Sequence, residues 1–142
     1  MPAHWTYQEI VDRESDLEQG DILCPSDGLL ALFNKVHPYF CQDKYLGFLV
    51  ASQSCDLVRR KGTLPKAGYV NLSVIRPLSQ VMPKLVAQVV TPFASARFPL
   101  SGKDEAKRLL ERILNQNEQS IGLFFLFQEE EMRLGEPAVA ML

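Results

Sequence analysis

Short apolar stretches alternate with polar segments along the chain, and five of them have the length and composition of β-strands. Several are apolar at consecutive positions, which is typical of strands that are buried on both faces. Another stretch, "YVNLSVI", alternates apolar Val70, Leu72 and Val74 with polar residues, which predicts a half-buried strand. The predicted strands lie within residues 19–24, 45–53, 69–75, 121–127 and 137–142.

One amphipathic helix is predicted within residues 101–117. Ser101 is a suitable N-cap, and the acidic residues Asp104 and Glu105 follow it, where they favour the positive end of a helix. Apolar residues recur at helical spacing, so we expect Leu110 and Ile113 to lie in the core. The complete apolar stripe is Ala106, Leu109, Leu110, Ile113 and Leu114.

Two other segments are ambiguous. The apolar segment 29–40, interrupted by Pro38, fits either a helical turn or a covering loop. In the segment 77–93, Pro83 and Pro92 limit any helix to about two turns, because proline lacks the amide that a helix interior uses. The pattern as a whole predicts a mainly β (α+β) fold, a small, strongly bent antiparallel sheet or barrel with one long amphipathic helix packed on it.

Length and charge narrow the class of protein. The 142 residues predict one domain, 1–142, with a tail at about 1–18 and the barrel plus helix at about 19–142. The net charge of −2 is not the basic excess of nucleic-acid-binding proteins, so any RNA contact needs a local patch. The chain has neither the apolar core of a signal peptide nor a run of about 20 apolar residues. We therefore expect a cytoplasmic protein without membrane contact and with three reduced cysteines.

Three short motifs carry a family resemblance. The order "GDIL" (20–23), "FLVASQ" (48–53) and "YVNLSVIRPLS" (69–79) is similar to the MazF/PemK toxin family. The resemblance covers about residues 19–79. It implies an SH3-like barrel, usually dimeric, and a setting in a bacterial toxin–antitoxin, stress or phage-defence system.

The same resemblance implies a site for metal-independent RNA cleavage, at which this chain departs from the family pattern. Active members carry an Arg before the first apolar strand, where Lys44 stands here, and a Thr or Ser after the second, which Ser79 matches. Lysine keeps the charge but not the guanidinium fork that holds a phosphate through two parallel hydrogen bonds. The first expectation is therefore a MazF-like module that binds another protein of its system and lacks efficient nuclease activity. An endoribonuclease that uses Ser79 and Lys44 is the alternative.

Cys55 and Asp56 end the strand-like stretch in "SQSCDLVRRKG", and each allows two interpretations. Cys55 is either a packed structural side chain or a thiol that the following Arg59, Arg60 and Lys61 activate. Strand alternation would bury Cys55 and turn Asp56 toward the basic loop, where its carboxylate would hold the loop in one shape for a partner. Asp56 and the three cations are therefore the predicted partner-binding residues. A solvated loop is the simpler interpretation.

A metal site is the remaining chemical candidate. The chain offers Cys24, His37, Cys41 and Cys55, which are four ligands of the types that bind zinc. No two of the cysteines have the close spacing of a structural zinc site. We therefore expect no metal and no cofactor, with a cysteine- or zinc-dependent enzyme as a further alternative. The expected partner is another protein, RNA is a second possibility, and a homodimer is a third.

Overall fold

An antiparallel five-stranded sheet forms the centre of the molecule, with helices packed on it. The computed structural model describes residues 7, 15–59, 63–90, 100–115 and 122–142. Most of the predicted tail therefore lies outside the described residues. The strands are β1 (Ile22–Leu23), β2 (Gly47–Val50), β3 (Leu72–Pro77), β4 (Leu123–Leu126) and β5 (Ala138–Met141). The helices are α1 (Asp27–Val36), α2 (Ser54–Leu57), α3 (Leu78–Val90) and α4 (Leu100–Leu114).

The five predicted strand segments are confirmed, but the predicted closure into a barrel is wrong. The strands follow the order β1-β2-β3-β5-β4, and the two outer strands do not pair with each other within the described residues. A barrel needs long, tilted strands with a matching register, whereas β1 pairs with β2 over two residues only. The result is an open α+β sheet with several helices instead of a barrel with one.

One face of the sheet is covered by α3 and α4. Val139, at the centre of β5, packs with Leu123 and Phe125 of β4, and all three are buried. The helices contribute Val81 and Leu85 from α3 and Leu109 and Ile113 from α4 to the same cluster. Helices cover this face, and a second apolar cluster covers the opposite face. Because both faces are buried, the strands are apolar at consecutive positions.

The opposite face has its own apolar cluster. It consists of Leu49, Ile75, Leu126, Leu134, Ala138 and Ala140. Tyr7 packs against it and donates a hydrogen bond from its hydroxyl to the carbonyl of Phe127 at 2.6 Å. Burial of this phenol raises the pKa of Tyr7 to about 12. Because both faces are covered, the alternation along β3 is misleading: Ser73 and Ile75 are buried, and Leu72 and Val74 are only partly so.

Helix α1 covers the β2 end of the helix-bearing face. Ser26 caps it by accepting a hydrogen bond from the amide of Leu29 at 3.3 Å, and the helix ends before His37–Pro38. Phe33 then packs edge-on against Phe48 of β2, with ring centroids 4.7 Å apart. The ambiguous segment 29–40 is therefore a helix followed by a 3-10 turn at Pro38–Phe40.

The limit that Pro83 and Pro92 set on helix length is wrong. Helix α3 has 13 residues and contains Pro83 in its interior. The proline removes one hydrogen bond, to the carbonyl of Ser79, but the helix packs Val81 and Leu85 into the core on either side of it. Tertiary packing of the apolar face therefore outweighs the local penalty.

Helix α4 confirms the predicted amphipathic helix with two corrections. It begins at Leu100, so Ser101 lies inside the helix and is not its N-cap. Ile113 is fully buried, but Leu110 is 37% exposed, and Leu109 is the second core residue. No helix among the described residues is long and apolar enough to cross a bilayer.

We predict that Ile113→Ala lowers the free energy of unfolding by about 2–5 kcal/mol, because it leaves a cavity between α4 and the sheet. Leu110→Ala is the matched control on the same helix, and we expect it to cost about 1 kcal/mol or less because its side chain remains partly in water. Urea unfolding of the two variants measures both values. Equal losses would contradict the observed orientation of α4.

Candidate functional site

The polar motif that follows β2 forms a tight turn onto a single helical turn. β2 ends at Val50, and α2 begins at Ser54, so the chain leaves the sheet within three residues. The hydroxyl of Ser52 is buried and accepts a hydrogen bond from the amide of Asn71 at 2.8 Å. The amide of Ala51 donates to the carbonyl of Asn71 at 2.9 Å. These bonds hold the end of β2 beside the start of β3.

A cleft of about 530 Å³ opens where these two strand ends meet. The carboxylate of Asp56 forms an ion pair with Lys66 at 3.2 Å, and the carbonyl of Asp56 accepts a hydrogen bond from the amide of Ala67 at 2.9 Å. The cleft therefore has fixed walls and carries both signs of charge. Its polar lining is Ser52, Gln53, Asp56, Lys66, Tyr69 and Asn71.

The carboxylate of Asp56 contacts the later part of the loop between β2 and β3, through Lys66. It contacts Lys66 and not Arg59, whose side chain and backbone amide both donate to the carboxylate of Asp16. The hydrogen bond from the side chain of Arg59 lowers the pKa of Asp16. Arg60 and Lys61 lie outside the described residues. The partner-binding role of these residues stays a prediction.

The ion pair between Asp16 and Arg59 borders a second cleft, of about 400 Å³. Leu17, Leu57, Pro65 and Val70 supply its apolar wall. The segment before β1 is thus attached to the base of the β2–β3 loop. The two clefts share this loop and lie on either side of it.

The burial predicted for Cys55 is wrong. The side chain is exposed, and its sulfur lies 3.7 Å from the amide oxygen of Gln53. The prediction extended strand alternation through residue 55, but α2 begins at Ser54 and places Leu57, not Cys55, in the core. Packing therefore does not account for this thiol.

The four potential zinc ligands are not brought together. Within the described residues no group of three or more histidine, cysteine or acidic side chains could hold a metal ion. The sulfur of Cys24 faces the carbonyl of Met132, and that of Cys41 donates to the carbonyl of Leu30 at 3.4 Å. The sulfur atoms of Cys24 and Cys41 thus lie beside different parts of the chain.

Lys44 and Ser79, the residues of the nuclease alternative, lie near the same end of the sheet. The register pairs Gly47 of β2 with Ile75 of β3, which places the residues before β2 beside those after β3. However, each contacts a different group: the Lys44 ammonium lies 3.0 Å from the Tyr39 hydroxyl, and the Ser79 hydroxyl lies 2.6 Å from a Glu136 carboxylate oxygen.

A cluster of two phenols and two cations at this end was not predicted from the sequence. The Lys44 ammonium lies over the rings of Tyr39 and Tyr45, 4.5 and 4.9 Å from their centroids. Hydrogen bonds from Lys44 and then from Tyr45 lower the pKa of Tyr39, and the charge of Arg76 contributes in the same direction. Burial raises the pKa of Tyr45. The only signal in the sequence is the closeness of Tyr39, Lys44 and Tyr45, since Arg76 comes from a distant strand.

Comparison with family models, with curated proteins and with solved structures gives no match.

We predict that Cys55 reacts first when the folded protein meets a thiol-specific disulfide reagent, because Cys24 and Cys41 are each partly buried. Absorbance of the released chromophore should show one fast phase, which Cys55→Ala removes and Cys41→Ala keeps. Cys55→Ala should change the free energy of unfolding by no more than about 0.5 kcal/mol. A fast phase that survives Cys55→Ala would contradict the exposure of this thiol.

Proposed function

We propose that the chain is a protein-binding module of a bacterial toxin–antitoxin, stress or phage-defence system, and that the β2–β3 loop is its docking surface. The observation that carries the proposal is the exposure of apolar side chains on this loop: Leu64 is 88% exposed and Tyr69 is 72% exposed. Val58 and Val70, in the same segment of the chain, are exposed as well. Exposed apolar side chains that share one segment are typical of interaction surfaces.

Charge defines the kind of partner. Residues 58–69 contain four cations and no acidic residue. Arg59 is engaged by Asp16, whereas Lys66 stands at the rim of the larger cleft, beside Asp56. The surface suits a segment that combines acidic residues with one or two apolar anchors. Electrostatic attraction would speed the encounter, and the anchors would supply most of the affinity.

Several contacts hold the described parts of this loop, residues 51–59 and 63–71, before any partner arrives. Asp56 joins its far side through Lys66 and Ala67, Asp16 joins its near side through Arg59, and Ser52 fixes the strand that follows. A surface that is already ordered loses less conformational entropy on binding. This arrangement supports recognition by a preformed site.

MazF-like kinship and a cytoplasmic setting belong to the same proposal. What supports the kinship is the order of the motifs along the chain: "GDIL" contains β1, "FLVASQ" contains β2, and "YVNLSVIRPLS" contains β3. These three strands form a continuous antiparallel succession. The loop that forms the docking surface begins directly after the second motif in the sequence.

We predict that the double variant Leu64→Ser/Tyr69→Ser loses its partner without loss of stability, since both side chains lie in water. The tagged protein is purified from the cells in which it is native, its partner is identified by mass spectrometry, and the complex is rebuilt from the two pure proteins. Isothermal calorimetry should then show affinity at least about tenfold weaker for the double variant. Affinity should also fall as salt is raised.

Leu32→Ser is the matched control, because Leu32 is 57% exposed on α1, away from the loop. It should bind as the wild type does. Equal affinity for the double variant and the wild type, or the absence of any stoichiometric partner, would contradict the proposal.

An endoribonuclease is the second candidate, and one observation favours it. The hydroxyl of Ser79 donates to the carboxylate of Glu136, and a carboxylate in this position could accept the hydroxyl proton. Lys44 argues against efficient RNA cleavage, because it lacks the guanidinium fork of an arginine and its ammonium is hydrogen-bonded to the Tyr39 hydroxyl.

We predict that the isolated protein cleaves a mixed RNA pool no faster than Ser79→Ala does, in the absence of added metal. Gel analysis of the RNA at near-stoichiometric protein measures this. Efficient cleavage that Ser79→Ala abolishes and Ser101→Ala retains would replace the binding proposal with the nuclease.

A further inference from the structure

Arg76 is placed unusually for a cation. It lies in β3, the central strand of the sheet, and follows Ile75, which is part of the opposite cluster, so Arg76 lies on the helix-covered face. Its Nε atom is buried and has no hydrogen-bond partner among the described residues. A buried guanidinium N–H is costly to leave without an acceptor, and such groups in native proteins call for an explanation.

Two further donors lie near it, the Lys44 ammonium before β2 and the Tyr39 hydroxyl at the 3-10 turn, while the single O–H of Tyr45 is donated to Tyr39. The Lys44 ammonium is 3.0 Å from the Tyr39 hydroxyl. The Tyr39 and Tyr45 rings meet edge-on with centroids 6.2 Å apart, and their hydroxyls are hydrogen-bonded to each other. The charge of Arg76 lowers the pKa of Tyr39, so the guanidinium lies within electrostatic reach of this phenol.

No carboxylate balances these cations. Among the described residues, neither Lys44 nor Arg76 forms an ion pair, although three other cations do. The groups that shift the pKa of Tyr39 are Lys44, Tyr45 and Arg76, and none of them is an anion. The cluster therefore has two cations without an ion-pair partner in the described part of the chain, next to the buried Tyr45 and the exposed Tyr39.

We propose that Arg76, Lys44, Tyr39 and Tyr45 form a binding site for a phosphate group. Two cations from separate elements match the charge of a dianion, and a carboxylate would neutralise only one. The donors come from three directions: the strand, the turn and the residues before β2. A tetrahedral group presents oxygens to all of them, whereas a carboxylate presents two oxygens in one plane.

The site is distinct from the docking surface of the β2–β3 loop. The phosphate site lies before β2 and near the end of β3, and the loop lies after β2 and before β3. Opposite ends of the same strand pair thus carry the two surfaces. The substitutions Leu64→Ser and Tyr69→Ser lie outside the phosphate site, so the double variant should still bind phosphate when it no longer binds the partner. The two proposals can therefore fail separately.

The test is a titration of the wild-type protein with inorganic phosphate at neutral pH and constant ionic strength, followed by NMR of arginine Nε–H groups. We expect the Arg76 signal to shift downfield and to saturate, because Nε–H gains a charged acceptor. The pKa of Tyr39, read from its ring-carbon shift, should rise when phosphate is bound, because the anion opposes formation of the phenolate. A linear, unsaturated change, as from an adventitious ion only, would overturn the proposal.

Variants assign the site. Lys44→Ala and Arg76→Lys should each weaken phosphate binding by about tenfold or more, while Lys84→Ala, an exposed lysine of α3, should not. Arg76→Lys keeps the positive charge but has no Nε–H. If this variant folds poorly, the titration of the wild-type protein still tests the proposal. Acetate serves as the comparison ligand. Acetate that binds as tightly as phosphate, or phosphate affinity unchanged in Lys44→Ala, would overturn the assignment.

Discussion

The pairing of β3 with a strand on each side is the constraint on which the rest of the molecule depends. β3 is antiparallel to both β2 and β5, and it is covered on both faces. Ile75 fills one cluster, and Pro77 leads without a loop into α3, which brings the helix onto the other face. Any change that moves β3 would therefore disturb the sheet, both apolar clusters and the start of α3 together.

This central strand also explains why the two candidate surfaces lie where they do. At its start, Asn71 is bonded to Ala51 and Ser52, and this contact forms the base of the larger cleft. Near its end lies Arg76, whose charge lowers the pKa of Tyr39 in the 3-10 turn. Each surface combines a rigid strand end with a polar or aromatic loop, which is how many binding sites in proteins are positioned.

Three short motifs of the sequence lie at three neighbouring antiparallel strands of the sheet, β1, β2 and β3. The remaining chain, with α3, α4 and the β4–β5 pair, extends the sheet on its other side instead of closing it. A small barrel would enclose one face of its sheet. In this open sheet, α3 and α4 cover that face instead.

The sequence by itself determined the strand segments and the amphipathic α4, because these depend on local apolar patterns. It did not determine the exposure of Cys55 or the partner of Asp56, since α2 interrupts the strand alternation one residue before Cys55. Pro83 inside α3 and Ser73 inside the core were likewise decided by packing from distant segments. The cluster around Arg76 joins residues more than thirty positions apart, and only the register of β2 with β3 places them together. Local patterns specify elements, whereas contacts between elements specify which side chains meet.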